Sequence, residues 1–492
     1  MDKPFERLAK GSSFMLLSNL VNTMIGALFW LILAKIVEAE SIGRIMIVIA
    51  FVTSIIGFSA NGIQVTLAKY VAEYKAKNMH TYTKRLIKFG IIITLIIGLV
   101  VAIILSLLSN YIATYIYNNP SLTILLTFAA LTFLPAQSIV AILNGVYQGL
   151  HKTQYILIIS LIFQALRLLI SISLIIYGLK EFGILTGFAI AAFTNSLLGY
   201  LIVHRVTKDY NTNNVPNKGE GLKHILSFSG FNYVVSGINT LTSQIGIITL
   251  GSYSIEWSAF YGIASLIAQI VGSVIYSVSS ILLPVASEEL TRNSNRENIR
   301  SIFNTVLRIA LTFNGFIILL LIIEPNYILS IISRDYIDAA TSLRILVIAY
   351  MITSINNLMI SILNAVNKAK EVAIRSIISS IIIIVLTPLL ALLFYMDGAA
   401  IALLLGSLTN LILLYIHIKK ESFTISVGIF RPVISISIAV GIGYIISSSF
   451  NTLYTLLVSV IIYSIASLGL RAVRIEEVRY ILNIVFTIIK HR

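Results

Sequence analysis

Residues 86–108 read LIKFGIIITLIIGLVVAIILSLL, and after Lys88 the run carries no charge at all. As a helix, about twenty such residues cross a hydrocarbon layer ~30 Å thick. Working outward in both directions, the pattern recurs: about fourteen apolar stretches of similar length lie between residues 13 and 470, separated by short connections. Among them are 44–66, 154–177, 224–250, 300–323, 372–395 and 398–417. Apolar residues make up 58 % of the chain and charged residues 11 %, too little charge to cover the surface of a soluble protein of 492 residues. An all-α integral membrane protein with about 14 transmembrane helices is expected. Its function must be one that a helical bundle can perform inside a bilayer.

The net charge of +15 would suggest nucleic acid in a soluble protein, but its placement gives it another meaning. Alternate connections and the two ends hold 28 of the 35 basic residues, including the Lys84–Arg85 pair, Lys368, Lys370, Arg431 and the tail residues Arg471 to Arg492. The opposite set holds five, Lys35, Arg44, Lys180, Arg334 and Arg344. Such a bias puts both termini in the cytoplasm and brings the basic loops to anionic lipid headgroups, so membrane lipids rather than nucleic acid are the expected partners. Cysteine is absent, which removes disulfides, thiol nucleophiles and thiolate metal sites. No cofactor or metal is expected, and the chain is expected to act as a monomer. The N-terminal MDKPFERLAKGSS lacks the features of a cleaved signal peptide, so the first span is expected to remain.

The chain also repeats itself. Ile142-Leu143-Asn144-Gly145-Val146 returns as Ile362-Leu363-Asn364-Ala365-Val366, each copy ending the fourth span of its half and running into a short basic connection. Ile56-Gly57 is matched by Val271-Gly272 at nearly the same displacement. These landmarks point to a parallel duplication. The expected organisation is an N-lobe of six helices over 1–206, a cytoplasmic linker over 207–222 and a C-lobe of six helices over 223–418. Two further helices over 419–470 and a basic amphipathic tail over 471–492 complete it.

The stretch from Ala34 to Tyr74 carries Gly43, Gly62, Leu67, Ala68, Lys69, Tyr70, Ala72, Glu73 and Tyr74 in a characteristic spacing. With Gly145, Gly149 and Lys152, Pro284 and Glu288, and the Gly398-Ala399-Ala400 opening of a later span, it resembles the polysaccharide and oligosaccharide flippases. Their superfamily also contains the MATE drug exporters and the lipid II flippases. The likeness extends over essentially the whole chain. Arg44 and Ile45 replace the usual aromatic, and Asn61 stands where an Asp is common. The resemblance implies a MATE-like fold, no enzymatic activity, an isoprenoid-linked oligosaccharide as substrate and glycan-assembly proteins as candidate partners. A lipid II flippase and a cation-coupled exporter remain the alternatives.

Polar groups inside the spans suggest where such a substrate would sit. Asn232, Ser236, Asn239, Thr240 and Ser243 recur at helical spacing, and the first span carries Asn19, Asn22 and Thr23 above Gly26. Within a bilayer such stripes face protein or water, so they either line a cavity or join packed helices. Only two charges lie well inside spans, Arg167 and Arg308. A guanidinium near the bilayer centre is costly, by about 2.5–3.5 kcal/mol on the gentlest scale, and offers a planar fork suited to phosphate or pyrophosphate. Arg308 is shallow enough to snorkel instead, and Lys35 and Arg44 at the outer ends of spans suit either an anionic headgroup or interfacial anchoring. Every Asp and Glu falls in a loop, a tail or near a span end, leaving none to serve as the buried carboxylate of a cation-coupled exporter.

Overall fold

The computed structural model describes residues 3–208, 210, 220–293, 296–366, 368–421, 428, 430–447 and 450–472. Most of the expected linker and all of the basic tail beyond Ala472 lie outside these residues, as do the side chains of Asn232, Pro284 and Glu288.

The described residues form helices α1 (Lys3–Ile36), α2 (Ala39–Ser59), α3 (Asn61–Ala76), α4 (His80–Tyr111), α5 (Ser121–Gly149), α6 (Gln154–Ile176) and α7 (Lys180–Val206). They continue as α8 (Glu220–Gly251), α9 (Ile255–Asn293), α10 (Arg296–Ile323), the short α11 (Pro325–Ile332), α12 (Ala340–Ala365), α13 (Ala369–Lys420), α14 (Phe430–Ser447) and α15 (Thr452–Gly469). Thirteen are long and apolar enough to cross a membrane. One of these, α13, counts twice: its 52 residues would make a rod about 78 Å long, more than two hydrocarbon thicknesses. Tyr395, in the left-handed region at φ 54° and ψ −129°, breaks it into two arms. Fourteen candidate crossings result among the described residues, with the break at the last residue of the stretch expected at 372–395, just before that expected at 398–417.

The span expected at 44–66 is corrected by the structure. Its helix starts at Ala39, because Glu40 and Arg44, one turn apart, pair with each other and extend the apolar core by a turn. It ends at Ser59, since Ala60 (φ −121°, ψ −39°) leaves helical geometry before α3 begins. Hydropathy located the middle of this element and not its ends.

Packing divides the chain into two compact units, one of residues 1–263 with 373–406 and the other of 264–372 with 407–492. In the first, Ile63, Leu67, Leu86, Ile142, Leu143, Val146, Tyr147 and Val203 join α3, α4, α5 and α7 in one core. Helix α8 packs on α2 and α3 in this unit. In the second, Phe303, Leu307, Leu311, Leu358, Met359, Ile362, Leu363 and Leu414 join α10, α12 and the far arm of α13. Each copy of the repeated Ile-Leu pair is therefore a core element of its own unit. On α4, by contrast, Ile92, Ile96, Leu99, Ile103 and Leu107 form an exposed row at helical spacing, an apolar face suited to lipid tails.

Candidate functional site

The first unit contains a buried polar ladder between α1 and α6. Ser18 and Ser160 share a hydrogen bond of 2.9 Å, and Asn22 Nδ2 donates to Ser160 Oγ at 3.2 Å. Gln164 Nε2 donates to Asn22 Oδ1 at 3.1 Å, and Arg167 Nη2 donates to Gln164 Oε1 at 2.5 Å. The helical period explains the alignment: Ser160, Gln164 and Arg167 stand four and three residues apart on one face of α6, opposite Ser18 and Asn22 at the same interval on α1. Ser18 and Gln164 are buried, whereas Asn22 is exposed. The ladder therefore runs from an accessible amide to an inaccessible cation.

Arg167 is 6 % exposed. Its guanidinium carbon lies 4.0 Å from the ring centre of Phe29 on α1, 4.9 Å from Phe188 on α7 and 5.5 Å from Phe163 on α6. Such contacts contribute up to ~2 kcal/mol each when desolvated, which is how an apolar box holds a cation. No carboxylate among the described residues pairs with it, and its Nε has no hydrogen-bond partner. The guanidinium singled out in the sequence as suited to phosphate is thus buried: α1 and α7 close over it, and the ladder's exposed end is Asn22. The sequence reading missed Gln164, Phe29 and Phe188. A Gln three residues before an intramembrane Arg was a usable signal; the aromatic box was not, because its rings come from three helices.

The other expected site residues are dispersed. Lys35 is exposed in the last turn of α1. Arg44 is not free to meet a headgroup: it contacts Glu40 at 3.5 Å and Glu181 at 3.4 Å, donates to Ser121 Oγ at 3.3 Å, and Ser41 donates to the same Glu181 at 2.7 Å. The start of α7 brings Glu181 against the start of α2, a partner 137 positions away that span-by-span inspection does not see. Arg308 belongs to the second unit, where its Nη1 donates to the Ala472 carbonyl at 2.9 Å.

On α8 the stripe divides. Thr240 packs against Gly57 of α2, where a Cβ would come within 2.6 Å of the threonine side chain, so this seam admits glycine alone. Asn239 and Ser243 remain exposed, and Ser236 is half-buried. Asn239 Oδ1 accepts from Ser380 at 3.4 Å, and Ser243 donates to the Thr240 carbonyl at 2.7 Å. Single cysteines at 239 and 243, on a chain naturally free of thiols, should react readily with a small polar thiol reagent, while one at 240 should react at least roughly tenfold more slowly. Equal labelling of all three would show that the α2–α8 seam opens in the membrane.

Comparison with known proteins agrees with this architecture. A family model described as polysaccharide biosynthesis protein matches residues 8–290, and the MatE model matches 234–389. The uncharacterized membrane protein MJ1375 of Methanocaldococcus jannaschii is 24 % identical over 416 residues, covering 82 % of this chain and 95 % of that protein. Among solved structures, the lipid II flippase MurJ in an inward closed conformation has a TM-score of 0.70 at 17 % identity, covering 92 % of this chain and 97 % of MurJ. An inward-facing multidrug resistance MATE family transporter of the MOP superfamily has a TM-score of 0.68 at 15 % identity, covering 83 % and 96 %. With its first model spanning more than half of its length, this multi-pass membrane protein has the fold of MurJ and the MATE transporter and belongs to the polysaccharide biosynthesis protein family.

Proposed function

We propose that the chain is an alternating-access flippase that moves a lipid-linked oligosaccharide, attached through a phosphate or pyrophosphate, from the cytoplasmic to the external leaflet of the cell membrane. The observation that carries this reading is an intramembrane cation with no carboxylate partner among the described residues, wired through Gln164 to the exposed Asn22. In a low dielectric the field of such a charge is weakly screened, so the accessible end of the ladder favours an anion over a cationic drug. Arg167 orients Gln164, Gln164 orients Asn22, and the exposed amides of Asn22 and Asn239 with the Ser243 hydroxyl suit sugar hydroxyls as well as phosphate oxygens. The isoprenoid tail stays in lipid, where rows such as that on α4 already face outward.

An inside-negative potential would favour outward movement of the anion by ~2.3 kcal/mol per charge per 100 mV. The charge bias of the loops supports cytoplasmic termini, and the repeat of Ile142–Val146 at Ile362–Val366 supports a pair of six-helix lobes; in this reading the chain works as a monomer beside glycan-assembly proteins. A lipid II flippase is the second reading, favoured by the likeness to MurJ, and shares the pyrophosphate chemistry.

Reconstitution in liposomes tests the proposal. A lipid-linked oligosaccharide placed in both leaflets should become fully accessible to an external glycosidase when the protein is present, against about half without it. Accessibility that stays at half, with correctly folded protein in the vesicles, would reject it. Faster efflux of a cationic dye, with no flipping of the lipid, would favour an exporter instead.

A further inference from the structure

The second unit holds a separate, open cavity of ≈ 430 Å³, bordered by the start of α10, the start of α14 and the residues just past α15. Arg300, Arg308, Arg431 and Arg471 line it, with Asn304 beside them and Glu297 as the one carboxylate in the lining. Four guanidiniums against one carboxylate make the described lining rich in arginine. Its volume is many times the ~30 Å³ of one water molecule and lies within the ~300–1,000 Å³ range of small-molecule sites. The bond from Arg308 to the Ala472 carbonyl, 2.9 Å, ties α10 to the end of α15 and holds the wall in place. Both α10 and α14 begin here, so the positive ends of two helix dipoles add to the same field.

The cavity's level in the membrane follows from its residues. Arg300 precedes the apolar span Phe303–Ile323, Arg431 lies in the first turn of the span Phe430–Ser447, and Arg471 follows the span Thr452–Gly469. All three ends lie on one side, which the loop charges assign to the cytoplasm. Directly beside Arg431, Phe430 and Ile434 are 58 % and 47 % exposed, an apolar face leading from the basic wall into the hydrocarbon. We propose that this cavity binds a phosphate group, either the headgroup of an anionic membrane lipid or a free phosphate from solution, at a site separate from the ladder of the first unit. Arginine forks match phosphate oxygens in pairs, and the apolar face accounts for acyl chains attached to the same phosphate. The proposal stands without the oligosaccharide reading, since it uses other residues in the other unit.

The test uses the full chain in nanodiscs of phosphatidylcholine with phosphatidylglycerol, compared with the Arg300→Gln/Arg431→Gln/Arg471→Gln variant and with the corresponding triple Lys variant. Lipid retained after extraction, read by native mass spectrometry, should be enriched in phosphatidylglycerol on the wild type. The Gln variant should lose roughly tenfold of that enrichment, and the Lys variant, which keeps the charge and lacks the fork, should lose less. In a second arm, inorganic phosphate or pyrophosphate is titrated into discs of phosphatidylcholine alone and thermal stabilisation is followed. Stabilisation there would identify a soluble anion as the ligand, whereas enrichment in the first arm alone would identify the lipid headgroup. Either probe binding equally to the wild type and to a folded Gln variant, or neither binding the wild type, overturns the proposal.

Discussion

Arg167→Met should insert, fold and accumulate like the parent and yet export the lipid-linked glycan at least roughly tenfold more slowly, the rate equivalent of losing one charge-assisted hydrogen bond of ~1.5–3 kcal/mol. Methionine is apolar, flexible and long enough to occupy the box formed by Phe29, Phe163 and Phe188, and sulfur packs well against aromatic rings. Replacing a buried charge that has no carboxylate partner among the described residues with a hydrophobe removes its desolvation cost, so the stability of the bundle should be kept or improved. What is lost is the positive field behind Asn22 and the donor that fixes Gln164. Arg167→Lys keeps the charge and should be intermediate, while Arg167→Ala also leaves a hole and should lower both protein level and export. Full export by a normally expressed Arg167→Met protein would show that the guanidinium serves packing alone.

Gly145→Ala should sharply lower the thermal midpoint of the purified protein. A Cβ at this position would fall 2.3 Å from the Gln64 carbonyl oxygen and 3.0 Å from that residue's carbonyl carbon. The obstacle is backbone, which cannot rotate aside as a side chain would, so α3 and α5 must move apart along the core shared by Ile63, Leu67, Ile142 and Val146. Overpacking of this kind costs about 1–3 kcal/mol. Gly441→Ala on α14 is the matched control, because no atom of the described residues lies within 4 Å of its added methyl. That change should leave the midpoint unaltered or raise it, alanine being better than glycine in a helix by ~1 kcal/mol. Equal midpoints for the two variants would mean that α3 and α5 do not approach this closely in the membrane. The second repeat carries Ala365 at the position of Gly145, so the close approach of α3 is a demand of the first half.

Hydropathy is a property of consecutive residues, and the bilayer imposes one length on every crossing; the apolar stretches therefore determined by themselves that the chain is a helical membrane protein. The loop lysines and arginines carried its expected orientation in the same one-dimensional way, and the spaced residues from Ala34 to Tyr74 carried the family. Helical period also showed which residues share a face, as with Asn239 and Ser243 on α8. It did not show what that face meets. Thr240, on the same stripe, turned out to fill the space above Gly57. Arg44 was drawn into contact with Glu40 and Glu181, Arg308 to the carbonyl of Ala472, and Arg167 into a box closed by α1 and α7. Each of these outcomes depends on helices far apart in the chain, Gln164 and Asn22 being 142 positions apart and Arg308 and Ala472 164. A buried polar group must find a partner wherever packing brings one, so the sequence determined that Arg167 needs company in the membrane, and only the tertiary structure decided that three phenylalanines and a glutamine provide it.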